Sequence, residues 1–155
     1  MTTGQVILRP MVNVEVATGP KERATTKALI DTGAPRTVFP RGIGDLIGVP
    51  FLDGPGGTGV LIDLMGRRWA AVTQTVDLLL RPFDDLGWTA EVDFVVDEGL
   101  PFALLGYEGF LNRWAVSFNA YKGYVVVEPI ESFDERLPLD PFVEAQERWP
   151  DSYRP

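Results

Sequence analysis

The chain has no cysteine and no histidine. The first absence excludes a disulfide framework, a thiolate nucleophile and a cysteine-ligated metal. The second removes the commonest general base, every imidazole-dependent triad and the usual zinc ligand sets. Basic residues are scarce as well. Lys and Arg number 14 against 22 Asp and Glu, for a net charge of −8, and no basic run occurs. Nucleic acid is therefore not an expected partner, because neutralising phosphates takes clustered cations. No apolar run approaches the ~20 residues of a membrane span. The first residues, "MTTGQVILRPMVNVEV", lack a charged segment followed by an apolar signal core. These features lead to the expectation of a soluble, cytoplasmic protein with no membrane partner, no metal and no cofactor. Any chemistry falls to carboxylates, Lys, Tyr, Ser or Thr.

What is present is an ordinary globular balance, 45% apolar and 23% charged over 155 residues, enough for one domain with a real core. The 16 Gly and 13 Pro suit many turns between short strands better than long helices. Alternation predicts strands in "QVILRP", "MVNVEVA" and "ATTKALID", joined by tight turns, and a short strand in "RTVF". "PRGIGDLIGV" has apolar residues at helical spacing and predicts one or two helical turns. "VLIDLMGRRWAAV" reads as a hairpin around Met65-Gly66-Arg67-Arg68. "TQTVDLLLR", "TAEVDFVVD" and "LPFALLG" read as strands, "YEGFLNRWAV" as a short helix, and "SFNAYKGYVVVEP" as a closing hairpin. From Glu131 the pattern stops. The last 25 residues hold four prolines and seven acids, and they predict a Pro-rich acidic arm, residues 131–155, after a domain at 1–130. Phe133, Leu137, Phe142 and Trp149 make that arm either a packed extension or a solvated end.

The stretch "ALIDTGAPRTVFP" draws the eye because an apolar strand runs directly into Asp31. A carboxylate there pays for desolvation unless it is hydrogen-bonded or paired. Gly33 allows a sharp turn and close approach of backbone N–H groups, and Thr32 adds a hydroxyl. Two readings fit this local pattern. One is a plain turn between strands. The other is a carboxylate presented in a fixed orientation, as needed for water activation by two acids that share one proton. A three-residue match arises by chance in about one chain in fifty of this length, so the context has to decide.

That context resembles the aspartic proteases. "ALIDTGAPRTVF" is similar to their active-site stretch: an apolar strand, Asp-Thr-Gly-Ala, then a Thr and two apolar residues. "FALLGYEGFL" resembles their second signature, two apolar residues and a Gly followed by a short helix over Glu108 to Trp114. A hairpin lies between the two, where the family has a flap. With one Asp-Thr-Gly in a short chain, the sequence resembles the single-lobe, retropepsin-like branch. The other acids that follow apolar residues, Asp63, Asp77 and Asp93, lack the Thr/Ser-Gly and read as strand acids facing solvent.

The resemblance implies a mostly β, closed barrel-like lobe with a flap hairpin and one or two short helices, working as a homodimer. It implies an aspartic endopeptidase whose partners are its own second copy and a peptide or protein substrate, active on the acid side of neutral. Asp31 would be the catalytic acid/base, meeting its symmetry mate. Thr32 would bond across to the partner loop, with Gly33 and Ala34 completing the loop and Leu105 and Gly106 supporting it. Two segments compete for the flap: "GPGGTG" at 54–59, and the tip Met65, Gly66 and Arg67, which sits between better strand patterns. One position departs from the family. Pro35 stands where retroviral enzymes usually carry an acid, and it has no backbone N–H to offer a substrate. A dimeric peptide-binding module without turnover is the alternative that this departure keeps open.

Overall fold

Val12, Val14 and Val16 alternate with Asn13 and Glu15, and in strand β1 (Met11–Ala17) Val14 and Val16 are fully buried. Strand periodicity of two makes such a strand one wall of a core. The computed structural model of the chain describes residues 9–51, 59–119 and 122–132. The expected strand at 5–8, the loop at 52–58 and the arm beyond 132 lie outside these residues. β1 pairs with β2 (Arg23–Ile30) antiparallel, through a turn in which the Thr18 N–H donates to the Glu22 carbonyl. β3 is the short Val38–Phe39 pair, and the predicted helical turns follow as α1 (Arg41–Leu46), entered from Pro40.

β4 (Val60–Leu64) and β5 (Arg67–Arg81) form the predicted hairpin around Met65 and Gly66. The sequence suggested a separate strand at "TQTVDLLLR", but β5 runs unbroken for 15 residues. Its first part pairs with β4 and the rest with β6 (Gly87–Val95), so it changes partner at Ala71. β7 (Ala103–Leu105), β8 (Trp114–Asn119) and β9 (Tyr124–Pro129) complete the strands. A second helical turn opens at 130–132.

The main sheet has the order β1-β2-β7-β3-β6-β5-β4, and β1 also pairs with β5. Six strands therefore close into a barrel, and β4 extends from it beside β5. Closure removes the edges an open sheet would leave unpaired. The interior is filled by Val14, Ile30, Phe39, Leu78, Phe94 and Phe110 among others. A second cluster, around Leu64, Trp69, Val95, Leu100 and Leu104, joins the β4–β5 hairpin to the barrel.

The order β2-β7-β3 has one consequence for the site. β2 and β7 are parallel, with Ile30 beside Leu105, yet β3 lies on the far side of β7. The segment 31–37 must therefore cross over the end of β7 at Leu105 and Gly106. Past that crossing the predicted helix at Glu108–Trp114 does not form. The segment is a series of turns, in which the N–H groups of Leu111 and Asn112 donate to the carbonyls of Gly106 and Tyr107, five residues back. Gly109 causes this: its φ of +92° lies outside the helical region, and a Cβ there would press on the Thr37 side chain at 3.1 Å.

Candidate active site

Asp31 is the first residue after β2 and is half-buried, while Thr32 and Gly33 are exposed. Its backbone N–H still donates to the Leu105 carbonyl at 3.1 Å, continuing the β2–β7 ladder one step. Its carboxylate turns back on the chain, and Oδ1 accepts the Gly33 N–H at 2.9 Å. The Ala34 N–H donates to the Asp31 carbonyl at 3.2 Å. This is an Asx turn closed over a β-turn. It fixes one carboxylate oxygen and leaves the other without a hydrogen bond among the described residues.

An Asx turn alone would account for Asp at 31. It would not require what lies beneath. Tyr107 and Glu108 donate their N–H groups to the carbonyls of Ala34 and Pro35 at 2.9 and 3.0 Å, and the Thr37 N–H donates to the Glu108 carbonyl at 2.9 Å. The Gly106 N–H donates to the hydroxyl of Thr37, a fully buried side chain, at 3.2 Å. A Cβ at Gly106 would overlap the Arg36 carbonyl and come within 2.7 Å of the Ala34 carbonyl oxygen. Glycine is the residue that lets the two backbones touch. Leu105 and Gly106 thus lie directly against the loop that carries Asp31, Thr32, Gly33 and the buried Ala34.

A polar cluster that the sequence did not reveal flanks this crossing. The expectation that Asp93 faces solvent is wrong: it has no exposure at all, whereas Asp63 and Asp77 are exposed as expected. Arg36 grips the Asp93 carboxylate with Nε at 2.6 Å and Nη2 at 3.2 Å, and Thr73 Oγ1 donates to it at 2.7 Å. Nη1 of Arg36 reaches Glu108 Oε2 at 2.6 Å. The hydrogen bond to Asp93 holds the Arg36 guanidinium above its ordinary value, against the opposing effect of partial burial. The charges of Asp93, Glu108 and Glu91 act in the same direction as that bond. The Asp93 contact is the buried one; the Glu108 contact is half open to water and worth correspondingly less. The sequence signal available was an Arg inside the loop and an Asp within an otherwise apolar strand. Their pairing 57 residues apart was not legible.

On the other side of the loop, Thr32 lines a cleft of about 400 Å3 with Ile30, Pro10, Phe118, Tyr124 and Val125. The β8–β9 hairpin forms the outer wall of this cleft and is not bonded into the barrel sheet. Phe118, Tyr124 and Val126 on it are exposed. Among the described residues Thr32 Oγ1 makes no hydrogen bond.

The β4–β5 hairpin turns at Met65 and Gly66, whose φ angles are 54° and 71°. Two positive φ angles match a tight two-residue hairpin turn, but a non-glycine residue in that region is strained. Trp69 braces the tip: its Nε1–H donates to the Leu64 carbonyl at 3.2 Å and Arg67 lies over its ring at 4.3 Å. Met65 itself is exposed. Of the competing flap segment, residues 54–59, all but Gly59 lie outside the described residues. Among the described residues no group of acidic side chains has the arrangement of a metal site, and no helix is long and apolar enough to cross a membrane. No protein-family model matches the chain, and no curated protein matches it significantly.

Proposed function

We propose that the chain is an aspartic endopeptidase of the retropepsin-like type, active as a homodimer with one Asp31 loop from each copy. The observation that supports this most is the rigid presentation of Asp31. One carboxylate oxygen is fixed by the Gly33 N–H, and the loop is clamped from behind by Gly106 and Thr37. A fixed acid with an open face is what water activation requires. One such acid is half of a dyad, and a twofold axis supplies the second from the same residue. The β8–β9 hairpin packs one face on the core, and its exposed Phe118 and Tyr124, next to Thr32, offer a surface for that second copy.

In the proposed reaction, two Asp31 carboxyl groups hold one proton and one water. The ionised group takes a proton from the water as its oxygen attacks the scissile carbonyl carbon. The protonated group gives its proton to the carbonyl oxygen. Collapse of the tetrahedral diol breaks the C–N bond: the second Asp31 takes back one diol hydroxyl proton as the carbonyl re-forms, and the proton first taken from water goes to the departing nitrogen, which restores the one-proton pair. Met65, Gly66 and Arg67 close over an extended peptide as the flap, limiting access of bulk water.

The test is cleavage of denatured casein at pH 4 to 7, with and without pepstatin. Pepstatin-sensitive cleavage that Asp31→Asn abolishes supports the proposal; cleavage surviving in Asp31→Asn removes it. Pro35 favours a second reading, a peptide-binding dimer without turnover. It has no N–H, and its carbonyl is already taken by Glu108. Peptide binding without cleavage by the wild-type chain would select that reading.

A further inference from the structure

We infer that Arg36 is a positioning residue that ties the Asp31 loop to the root of the β4–β5 hairpin through the buried carboxylate of Asp93. The inference rests on the peptidase proposal for its kinetic arm and on geometry alone for its structural arm.

Asp93 stands where three segments meet. On one side its strand neighbour is Val38, and the Asp93 N–H donates to the Thr37 carbonyl at 3.0 Å. On the other side its direct cross-strand partner is Thr73 of β5. Thr73 lies two residues beyond Ala71, where β5 leaves β4 and takes β6 as its partner. It is therefore at the root of the hairpin. The Asp93 carboxylate accepts from Arg36 on the loop and from Thr73 on the hairpin strand. A buried carboxylate held by three donors from two segments is a stiff joint, because releasing a donor leaves a buried carboxylate oxygen short of a hydrogen bond. Arg36 has a second hold on Glu108, beyond Gly106 in the turn that clamps the loop from behind. Arg81 and Glu15 provide a comparable two-pronged pair elsewhere, tying β5 to β1 with no link to the Asp31 loop.

The coupling predicts that loop and hairpin hold their positions together. Arg36→Lys keeps the charge but loses the planar two-pronged grip, and Thr73→Val removes the hairpin side alone. The experiment compares both with wild type and with Arg81→Met, measuring kcat, KM and melting temperature on denatured casein, and amide exchange by mass spectrometry. The expected result is a fall in kcat of about tenfold to a hundredfold in Arg36→Lys, a smaller fall in Thr73→Val, and KM changed less than about twofold. Exchange accelerates in residues 31–37 and 60–71. Arg81→Met melts at lower temperature yet keeps the wild-type kcat. Wild-type kcat and exchange in Arg36→Lys would overturn the inference, and so would an equal loss of kcat in Arg81→Met. If Arg36→Lys does not fold, Thr73→Val carries the same readings. If the wild-type chain cleaves nothing, the peptidase proposal fails, and exchange alone decides: joint acceleration in 31–37 and 60–71 supports the coupling, and its absence removes it.

Discussion

The Gly106 N–H donates to the buried hydroxyl of Thr37 at a point where any side chain on residue 106 would overlap the Arg36 carbonyl. The contact exists because the chain leaves β2, crosses the end of β7 and enters the sheet again on its far side. Gly106→Ala places a methyl group against backbone that has nowhere to move. The expected outcome is a loss of about 3 kcal/mol or more, measured as the fall in the urea midpoint. Thr37→Val leaves the Gly106 N–H unpaired in the interior and should cost about 1–3 kcal/mol by the same measurement.

Met65 occupies a turn position with φ of 54°, which suits Asn or Gly better than an unbranched apolar residue. Met65→Asn should therefore stabilise the fold by about 0.5–1 kcal/mol. If the hairpin is the flap, the same variant raises KM, because the exposed Met65 side chain is what the tip offers a peptide. A stabilised variant with unchanged kinetics would move the flap away from this tip.

Phe118 is exposed at the end of a hairpin that bonds to no other strand, on the face it shares with Val125, while Tyr124 and Val126 are exposed on the opposite face. In the proposed homodimer a charge placed at Phe118 would be desolvated. Phe118→Asp is expected to weaken self-association about thirtyfold or more, read by sedimentation equilibrium. The melting temperature of the dilute chain should be close to wild type, since the side chain is half exposed in the single copy. Unchanged association would place the dimer contact elsewhere.

The β1–β2 pair, the β4–β5 hairpin, α1 and the closing β8–β9 hairpin were legible in the sequence, because each rests on local alternation or on a turn residue. Three features were not. Asp93 sits in "EVDFVVD", whose alternation places it as readily outside as inside, and its burial depends on an arginine far away in sequence. The segment after Gly106 has the apolar spacing of a helix in Phe110, Leu111 and Trp114, but Gly109 takes a conformation set by the nearness of Thr37. β5 reads as two strands because the polar run Thr73-Gln74-Thr75 interrupts its apolar pattern, although the backbone pairing continues through it. At the site, the acid and its loop were visible as a motif. The clamp beneath it was visible only as the letters of "ALLG", and the polar joint at Arg36 was not visible at all. Local physics writes itself into short stretches, whereas contacts across the barrel depend on topology.

The proposed arrangement is that two copies of Asp31 make one active site. It is tested most directly by adding Asp31→Asn chains to a fixed amount of wild-type chain and following the initial rate of casein cleavage. Random pairing at equal amounts leaves half of the wild-type chains in all-wild-type dimers, so the rate should fall about twofold and continue to fall as more variant is added. A rate that is independent of the added variant, with exchange of subunits shown by labelled chains, would mean that each copy works alone and would contradict the account.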